Sequence, residues 1–414
     1  MLKSRMSKPS ITQKRDLRTG TSIWLDGSSL PIRCRRSPAK RRFDTVIVGA
    51  GISGAALAYR LRRKGKKLLI VDRRPPLHGS TAASTALLEF EIDTPLFELS
   101  RRIGRDKAER AWRRSLRAVR SLRKIVQIEA IHCGWRDSSS LYLAGDAYGS
   151  RALQNEVVAR ERAKIPGAYF SRSELREAFG LDRTGAILSS GSAQANPMQL
   201  AAGLLLAAIK EGASLCSPVS IKAIAADESG VILTTDDDVE IATRHAVFCT
   251  GYEILKSIPN RGHSTKSTWA FASAPTRSAP DWLADHIVWE AADPYIYLRR
   301  THDGCIVAGG EDEPFSDTHA DRKLLREKTD TVADKVRALV PGLRFRIEHR
   351  WAGAFGESDT GLPFIDRVPG HPNCYAVMGF GGNGITYSII AAEVVARLIA
   401  GRDDPDADLY RFLE

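Results

Sequence analysis

Thr45-Val46-Ile47-Val48-Gly49-Ala50-Gly51-Ile52-Ser53-Gly54 is the stretch whose reading decides the fold. An apolar tetrapeptide runs into G-x-G-x-x-G, a helical stretch follows from about Ile52 to Lys64, and Gly65 closes it. Leu68-Leu69-Ile70-Val71 is a second apolar run, and Asp72 ends it, eighteen positions after Gly54. Both runs are continuously apolar, as parallel strands buried on both faces must be. Strand, glycine turn, helix, strand and terminal acid in this order form a dinucleotide-binding unit. Gly49 permits the tight turn, Gly51 lets a pyrophosphate approach the backbone, and Gly54 lets the helix lie close to the sheet. The helix start, with Ala50, Ile52 and Ser53 around it, offers free N–H groups and partial positive charge to phosphates. Asp72 can accept from a ribose hydroxyl. A glycine turn in an unrelated α/β protein would not require that acid.

The unit alone does not choose between FAD and NAD. Two features further along favour FAD. The last segment repeats the strand-to-helix design: Tyr375-Ala376-Val377-Met378, then Gly379-Phe380-Gly381-Gly382-Asn383-Gly384 and a helix over Thr386–Ala400. A second helix start of this kind can stabilise negative charge on an isoalloxazine. A middle strand, Ala246-Val247-Phe248-Cys249, ends in Thr250-Gly251, where a third backbone contact to the dinucleotide is expected. Val219 and Ile385 are counted with the cofactor-binding set. Arg73 and Arg74 are counted there too; they would also suit an NADP phosphate, although an exposed Arg pair is the commoner meaning of such a dipeptide.

The rest of the 414 residues bounds the answer. Hydrophobic content is 43% and charged content 27%, an ordinary globular composition long enough for two or three domains. No apolar run approaches the roughly 18–20 residues of a membrane helix. The net charge of +12 looks like a nucleic-acid signal until it is located: residues 1–42 carry twelve Lys/Arg against two Asp, a net +10, which leaves +2 elsewhere. A solvated extension explains it, so no nucleic-acid partner is expected, and Ile23-Trp24-Leu25 points to part of the extension packing on the body. Six separated cysteines form no C-x-x-C and no metal spacing, so no metal is expected, and buried thiols in the cytoplasm are the simplest reading.

Between the motifs, residues 108–128 read as an Arg-rich helix with Trp112, Leu116, Val119 and Leu122 on one face. Asn196-Pro197 opens a helix to about Lys210. Short strands are expected at 214–216 and 219–221, and a hairpin at 231–235 and 239–243. Residues 268–350 are mainly β, with Tyr295–Arg299 and Cys305–Ala308 joined at Asp303-Gly304. The chain thus leaves the nucleotide unit twice and returns each time. The expected division is a basic extension (1–42), a discontinuous FAD-binding domain (43–100, 185–260 and 351–414) and a substrate or cap domain (101–184 and 261–350).

Together these segments resemble the D-amino-acid-oxidase-like flavoproteins, over most of residues 43–400. The resemblance is specific at the opening motif with Asp72; at Gly79-Ser80-Thr81-Ala82-Ala83-Ser84-Thr85, which matches the family loop past the FAD diphosphate; at Thr250-Gly251; and at Trp351-Ala352-Gly353 with Gly361-Leu362-Pro363-Phe364-Ile365 and the final glycine turn. It implies an α/β Rossmann-like FAD domain of glutathione-reductase type beside a β-sheet substrate domain. It also implies an FAD-dependent oxidoreductase that moves hydride from a C–H next to nitrogen onto flavin N5, with oxygen or another carrier as acceptor.

Departures sharpen the expectation. Family members that oxidise amino acids often continue Trp-x-Gly with Leu-Arg-Pro, whose Arg clamps a carboxylate; here Ala354-Phe355-Gly356 stands there. The substrate is therefore an amine or amino-acid-like molecule of unspecified kind. Arg299, in alternating register with Tyr295 and Tyr297, could hold a carboxylate, unless that face is simply solvated. The sarcosine-oxidase branch of the resembled family attaches FAD through a Cys before the Leu-Pro stretch; residues 351–365 contain no Cys, so the resemblance implies FAD bound non-covalently. Lys266 could sit near the flavin and promote oxygen reduction, or be an exposed lysine. Glu89, flanked by apolar residues, could lie near the flavin with a raised pKa, or be a structural carboxylate. An FAD-bound protein with little amine oxidase activity and an NAD(P)-linked flavin reductase are the alternatives.

Overall fold

A computed structural model describes residues 10–13, 15–26, 30–258, 261–315 and 321–413. Its first elements are β1 (Arg18–Gly20), β2 (Arg42–Val48), α1 (Ile52–Leu61), β3 (Leu68–Val71), β4 (Leu87–Leu88), α2 (Leu96–Ile103) and α3 (Arg105–Ile128). The middle of the chain adds β5 (Arg136–Ala144), α4 (Ser150–Arg162), β6 (Ala168–Ser171), α5 (Arg172–Phe179), β7 (Gly185–Gln194), α6 (Pro197–Lys210), β8 (Ser214–Cys216), β9 (Ile221–Asp227), β10 (Gly230–Thr235) and β11 (Glu240–Phe248). The last part holds β12 (His263–Ser273), β13 (His286–Ala291), β14 (Ile296–Arg300), β15 (Ile306–Pro314), α7 (Arg322–Leu339), β16 (Ile347–Ser358), β17 (Phe364–Arg367), β18 (Cys374–Met378) and α8 (Gly384–Ile399).

Two sheets carry the molecule. In the smaller, β17-β18-β11-β2-β3-β8 lie side by side, with the β9–β10 hairpin attached to β11. Its centre is parallel: Val46 pairs with Leu69 and with Ala246, and Phe248 pairs with Ala376. Val46, Ile47, Leu69, Ile70 and Val247 have no exposed surface, which is why both opening runs are wholly apolar. Helix α1 packs between α6 and α8. Three glycine-bearing turns, after β2, β11 and β18, therefore open on the same edge of one sheet.

The larger sheet runs β1-β16-β12-β15-β14-β13-β5-β7-β4, with β6 paired to β7, and is antiparallel except between β5 and β13. The expected division put residues 185–260 and 351–414 with the nucleotide unit. In the structure β7 pairs along most of its length with β5, and β16 with β12, so both of these strands extend the larger sheet.

Local differences have local causes. Helix α1 stops at Leu61, three residues early, where the Arg62 side chain donates to the Tyr59 carbonyl and Gly65 turns the chain at φ +85°. The second arm of the 230s hairpin and the expected strand at 246–249 are one continuous strand, β11. The expected strand at 219–221 begins only at Ile221. In α3 the arginines are not all solvated: Arg114 is buried and pairs with Asp404, Asp406 and Glu393. Asn196 caps α6 as expected, its side-chain oxygen accepting from the amides of Met198 and Gln199.

Part of the basic extension is built into the body, although residues 1–9 lie outside the described residues. Thr12 bridges to Leu255, β1 adds an edge strand to β16, and Trp24 is buried with its indole N–H on the Ser84 carbonyl at 2.7 Å. Five of the six cysteines are buried and Cys34 is exposed. Among the described residues, no helix is long and apolar enough to cross a membrane.

Candidate cofactor and substrate site

One elongated cavity runs from the edge of the smaller sheet to the face of the larger one, with about 1840 Å³ of open space including its mouth.

At the first end the three roles assigned to the glycines separate physically. A Cβ on Gly49, which sits at φ +116°, would lie 2.2 Å from the Cys249 carbonyl oxygen, and one on Gly54 would lie 1.9 Å from the Gly49 carbonyl oxygen. Those two glycines are required by the protein's own packing. A Cβ on Gly51 would meet only the Thr81 hydroxyl, at 3.0 Å, and would otherwise project into the cavity. The amides of Gly51 and Ser53 have no protein acceptor among the described residues, whereas Ile52 donates to the Thr81 hydroxyl at 2.9 Å. Loop 79–84 crosses in front of this helix start, and its Ser80 hydroxyl is buried without a partner. Uncommitted donors around a Cβ-free gap fit a diphosphate.

Asp72 lines the same end. Its carboxylate accepts from Ala50 N at 2.7 Å and from Arg74 N at 2.8 Å, tying the glycine turn to the end of β3. Burial raises its pKa, and the two backbone bonds oppose the rise. Arg73 and Arg74 are not an exposed pair. Both donate to Glu253, whose side chain is 5% exposed and which also accepts from Arg15 N at 3.1 Å. Glu253 lies two positions after Gly251, a residue the sequence pattern did not single out. Val219, Thr250 and Gly251 line this end, as do Ser10, Ile11 and Thr12 of the extension.

The second helix start lies further along the cavity. Gly381, Gly382, Asn383, Gly384 and Ile385 line it, and Gly382 N donates to Asp93 at 2.9 Å. Asn383 and Thr386 donate to the carbonyls of Glu91 and Glu89 at 2.6 and 2.8 Å, so α8 fixes segment 89–93. Ala50, Gly54, Ala82 and Gly379 of the expected set do not reach the cavity. They shape it from behind: Ala50 and Ala82 are fully buried, and Gly379 turns the chain at φ +71°.

The far end is made by the larger sheet. Tyr297 pairs across strands with Trp289 and, with Tyr295 and Thr268, faces the cavity. Burial pushes the Tyr297 hydroxyl up to about 12, so it remains a donor at neutral pH. Glu89 is 9% exposed; its Oε1 accepts from Ser140 at 3.1 Å, and Ser140 in turn accepts from the Trp289 indole N–H at 2.8 Å. Burial, reinforced by Glu91, raises the Glu89 pKa well above the ordinary range.

Two expected catalytic residues are elsewhere. Arg299 is neither solvated nor in the cavity. It is 2% exposed and donates to the Thr85 carbonyl (2.8 Å), the Ala195 carbonyl (3.0 Å) and Gln194 (3.1 Å), beside the Trp24 ring. Its guanidinium holds the loop at Thr85 against β7, and burial lowers its pKa to about 9. Lys266 pairs with Glu357 at 2.7 Å and does not line the cavity.

A parallel nucleotide sheet, three converging glycine turns and an aromatic sheet face across one cavity define a flavin-dependent oxidoreductase of two-sheet design. The chain belongs to the FAD dependent oxidoreductase family, which matches residues 44–398. Glycine oxidase of Bacillus licheniformis is 23% identical over 377 residues, spanning 87% of this chain and 94% of the relative. The uncharacterized oxidoreductase YurR of Bacillus subtilis is 27% identical over 374 residues, with 86% and 95% covered. The crystal structure of glycine oxidase from Geobacillus kaustophilus superposes with a TM-score of 0.76 at 19% identity, covering 91% of this chain and 99% of the other. The family carries the mixed α/β fold, FAD and oxidoreductase chemistry to this chain.

Proposed function

We propose that the protein oxidises the C–N bond of an amine or amino-acid-like substrate, with FAD held non-covalently. One observation supports this above others: the face opposite the glycine turns carries aromatic rings and acidic side chains, Glu89 held in a hydrogen-bond network among them, and no nucleophile–base pair among the described residues. Such a wall can position a substrate but cannot perform acyl or phosphoryl chemistry by itself.

When bound, FAD supplies the two-electron acceptor for hydride leaving the carbon next to nitrogen; the resulting imine hydrolyses in water. Everything else falls to the protein. Gly51, Ser53 and Ser80 offer donors to the diphosphate, and Asp72 and Glu253 flank the ribose end. Gly381 to Gly384 offer the second helix start to the flavin ring. Tyr297 and Trp289 wall the substrate and exclude water. Glu89 Oε2 has no protein partner among the described residues, so it is free to take a hydrogen bond from the substrate nitrogen. Attachment through sulfur is disfavoured by position: Cys249, the only cysteine lining the cavity, lies under the Gly49 turn with its thiol pushed up to about 12. Arg299 and Lys266, committed to backbone carbonyls and to Glu357, are left out of the substrate contacts.

The visible spectrum of the purified protein tests the cofactor, and its release by acid precipitation tests non-covalent binding. Anaerobic bleaching by a panel of amines tests the reaction; a yellow protein that no primary or secondary amine reduces would refute it.

A further inference from the structure

We propose that the far end of the cavity selects substrates that carry a positive charge in addition to the reacting nitrogen, such as diamines, over substrates that carry a carboxylate. The inference rests on the amine-oxidation reading and deepens it.

Three carboxyls converge there without a counter-ion. Glu89 is 9% exposed and one of its two oxygens has no partner. Asp93 lines the same wall and holds only the Gly382 amide, at 2.9 Å. Asp312, on β15, has both oxygens buried and is met only by the hydroxyls of the cavity-lining Tyr295 and Thr268, with no cation on it among the described residues. None of the three is in an ion pair among the described residues.

The cations nearby are already committed. Lys266 pairs with Glu357 at 2.7 Å, Arg160 pairs with Glu91 and with Glu156, and Arg299 holds backbone carbonyls. The cavity's lining arginines, Arg73 and Arg74, sit at the opposite end on Glu253.

Aromatic rings complete the arrangement. Trp289 stacks on Tyr142 at 3.8 Å and is fixed through Ser140, and Tyr295 and Tyr297 lie 6.0 Å apart, tilted by 37°. Ring faces beside carboxylates attract an ammonium by two independent routes, charge and the ring quadrupole. Carboxyls held away from bulk water without a counter-ion are costly to ionise, and here Asp93 and Asp312 are both pushed up to about 6, chiefly by desolvation and also by their acidic neighbours. Asp93 is itself exposed, its surface opening on the cavity, so its carboxyl is within reach of a ligand there. A ligand ammonium supplies the missing counter-charge, and a ligand carboxylate finds acids and no free cation.

The test uses the flavin-loaded enzyme and three molecules of one length: 1,5-diaminopentane, pentylamine and 5-aminopentanoate. The expected order of kcat/KM is diamine, then monoamine, then amino acid, with at least tenfold between the first and last. Asp312→Asn should raise KM for the diamine about tenfold more than KM for the monoamine, so that the diamine's advantage shrinks. Asp93→Asn, which keeps an acceptor for Gly382, is the second variant. A binding readout stands apart from turnover: benzyltrimethylammonium should perturb the flavin spectrum saturably, and benzoate should not. Preference for the amino acid, perturbation by benzoate alone, a flavin-loaded enzyme blind to both probes, or discrimination unchanged in both variants would overturn the charge inference. Bleaching by amines of any charge would still leave the amine-oxidation reading standing, whereas tight binding of the ammonium without reduction by any amine would sink that reading alone.

Discussion

The two ends of the cavity are held in opposite ways. At the nucleotide end the polar side chains are tied to the protein: Asp72 accepts from two backbone amides, and Glu253 collects Arg73, Arg74 and the amide of Arg15. What remains uncommitted there is mostly backbone N–H and one hydroxyl. At the other end the backbone is satisfied by strand ladders, while among the described residues Glu89 keeps one oxygen unpartnered and Asp312 has no cation on it. The cofactor is therefore met by main chain whose geometry the sequence sets locally. In the proposed reading the substrate would be met by side chains drawn from β12, β13, β14 and β15 and from segment 89–93. Backbone recognition tolerates little change, and side-chain recognition can be retuned one residue at a time.

The sharpest way to break that contrast is to add one methyl group at the nucleotide end. Gly54→Ala places a Cβ at 1.9 Å from the Gly49 carbonyl oxygen, so β2 and α1 must separate. Overpacking of this kind costs about 1–3 kcal/mol or more, and the expected product is destabilised and colourless. Gly51→Ala meets only the Thr81 hydroxyl, at 3.0 Å. It should melt, without cofactor, near the parent temperature and yet bind FAD at least about tenfold more weakly, a loss of about 1.4 kcal/mol. Thermal melting with and without added FAD separates the two; equal behaviour would show that both glycines serve packing alone.

The same contrast explains what the sequence disclosed. The opening motif, Asp72, loop 79–84, Thr250-Gly251 and the last glycine turn are contiguous stretches whose backbone geometry is a local property, and each lies where the spacing and the family resemblance led one to look. Trp24 packing on the body was also legible, because a Trp flanked by Ile and Leu in a polar extension has little other use. Arg299 was not. Alternation on β14 put it on the face of Tyr297 correctly, but alternation does not say where the cavity ends. Whether an Arg on that face meets solvent, substrate or the Thr85 carbonyl depends on loop 79–85 and β7, over a hundred residues earlier in the chain. Glu253 and Asp312 were missed for the same reason: an acid just after a strand, or near the end of one, carries no local mark of its partner.

Arg299 gives the next largest effect. Arg299→Met removes three hydrogen bonds from a buried guanidinium and leaves the carbonyls of Thr85 and Ala195 without their donor. Bonds of this charge-assisted kind are worth about 1.5–3 kcal/mol, so denaturant unfolding should show a loss of about 2–3 kcal/mol. A purely structural residue leaves the preference among 1,5-diaminopentane, pentylamine and 5-aminopentanoate as it was. A variant of parental stability whose preference changes would restore Arg299 to the substrate site. A smaller effect is expected from the extension. Removing residues 1–13 deletes Ser10, Ile11 and Thr12 from the cavity wall and the bridge from Thr12 to Leu255. Release of FAD should quicken about tenfold while kcat for the bound fraction is unchanged, since such losses fall mainly on dissociation. Unchanged release would mean that the strap covers the cavity without retaining its occupant.

The subtlest test concerns pH, and its sign follows from the unpaired acids. Asp93 and Asp312 are pushed up to about 6 in the ligand-free protein, above the ordinary carboxylate value. Between that ordinary value and about 6 the folded chain holds protons that the unfolded chain has released, so stability falls as pH rises through this window and levels off above it. The groups facing Asp93 are Glu357, Asp312, Lys266 and the Gly382 amide; those facing Asp312 are Thr268, Tyr295, Lys266 and Glu357. Lys266 is the one cation among them, and its pairing with Glu357 leaves the balance negative. A bound ammonium favours the ionised acids and removes their cost. The melting temperature of the flavin-loaded enzyme should therefore decline between pH 4 and pH 6 in buffer alone, and the upward shift given by benzyltrimethylammonium should grow over the same interval. Asp312→Asn should flatten both trends. A ligand shift that is constant from pH 4 to pH 7 would mean that these carboxyls do not face the bound cation, and the contrast between the two ends of the cavity would then rest on backbone geometry alone.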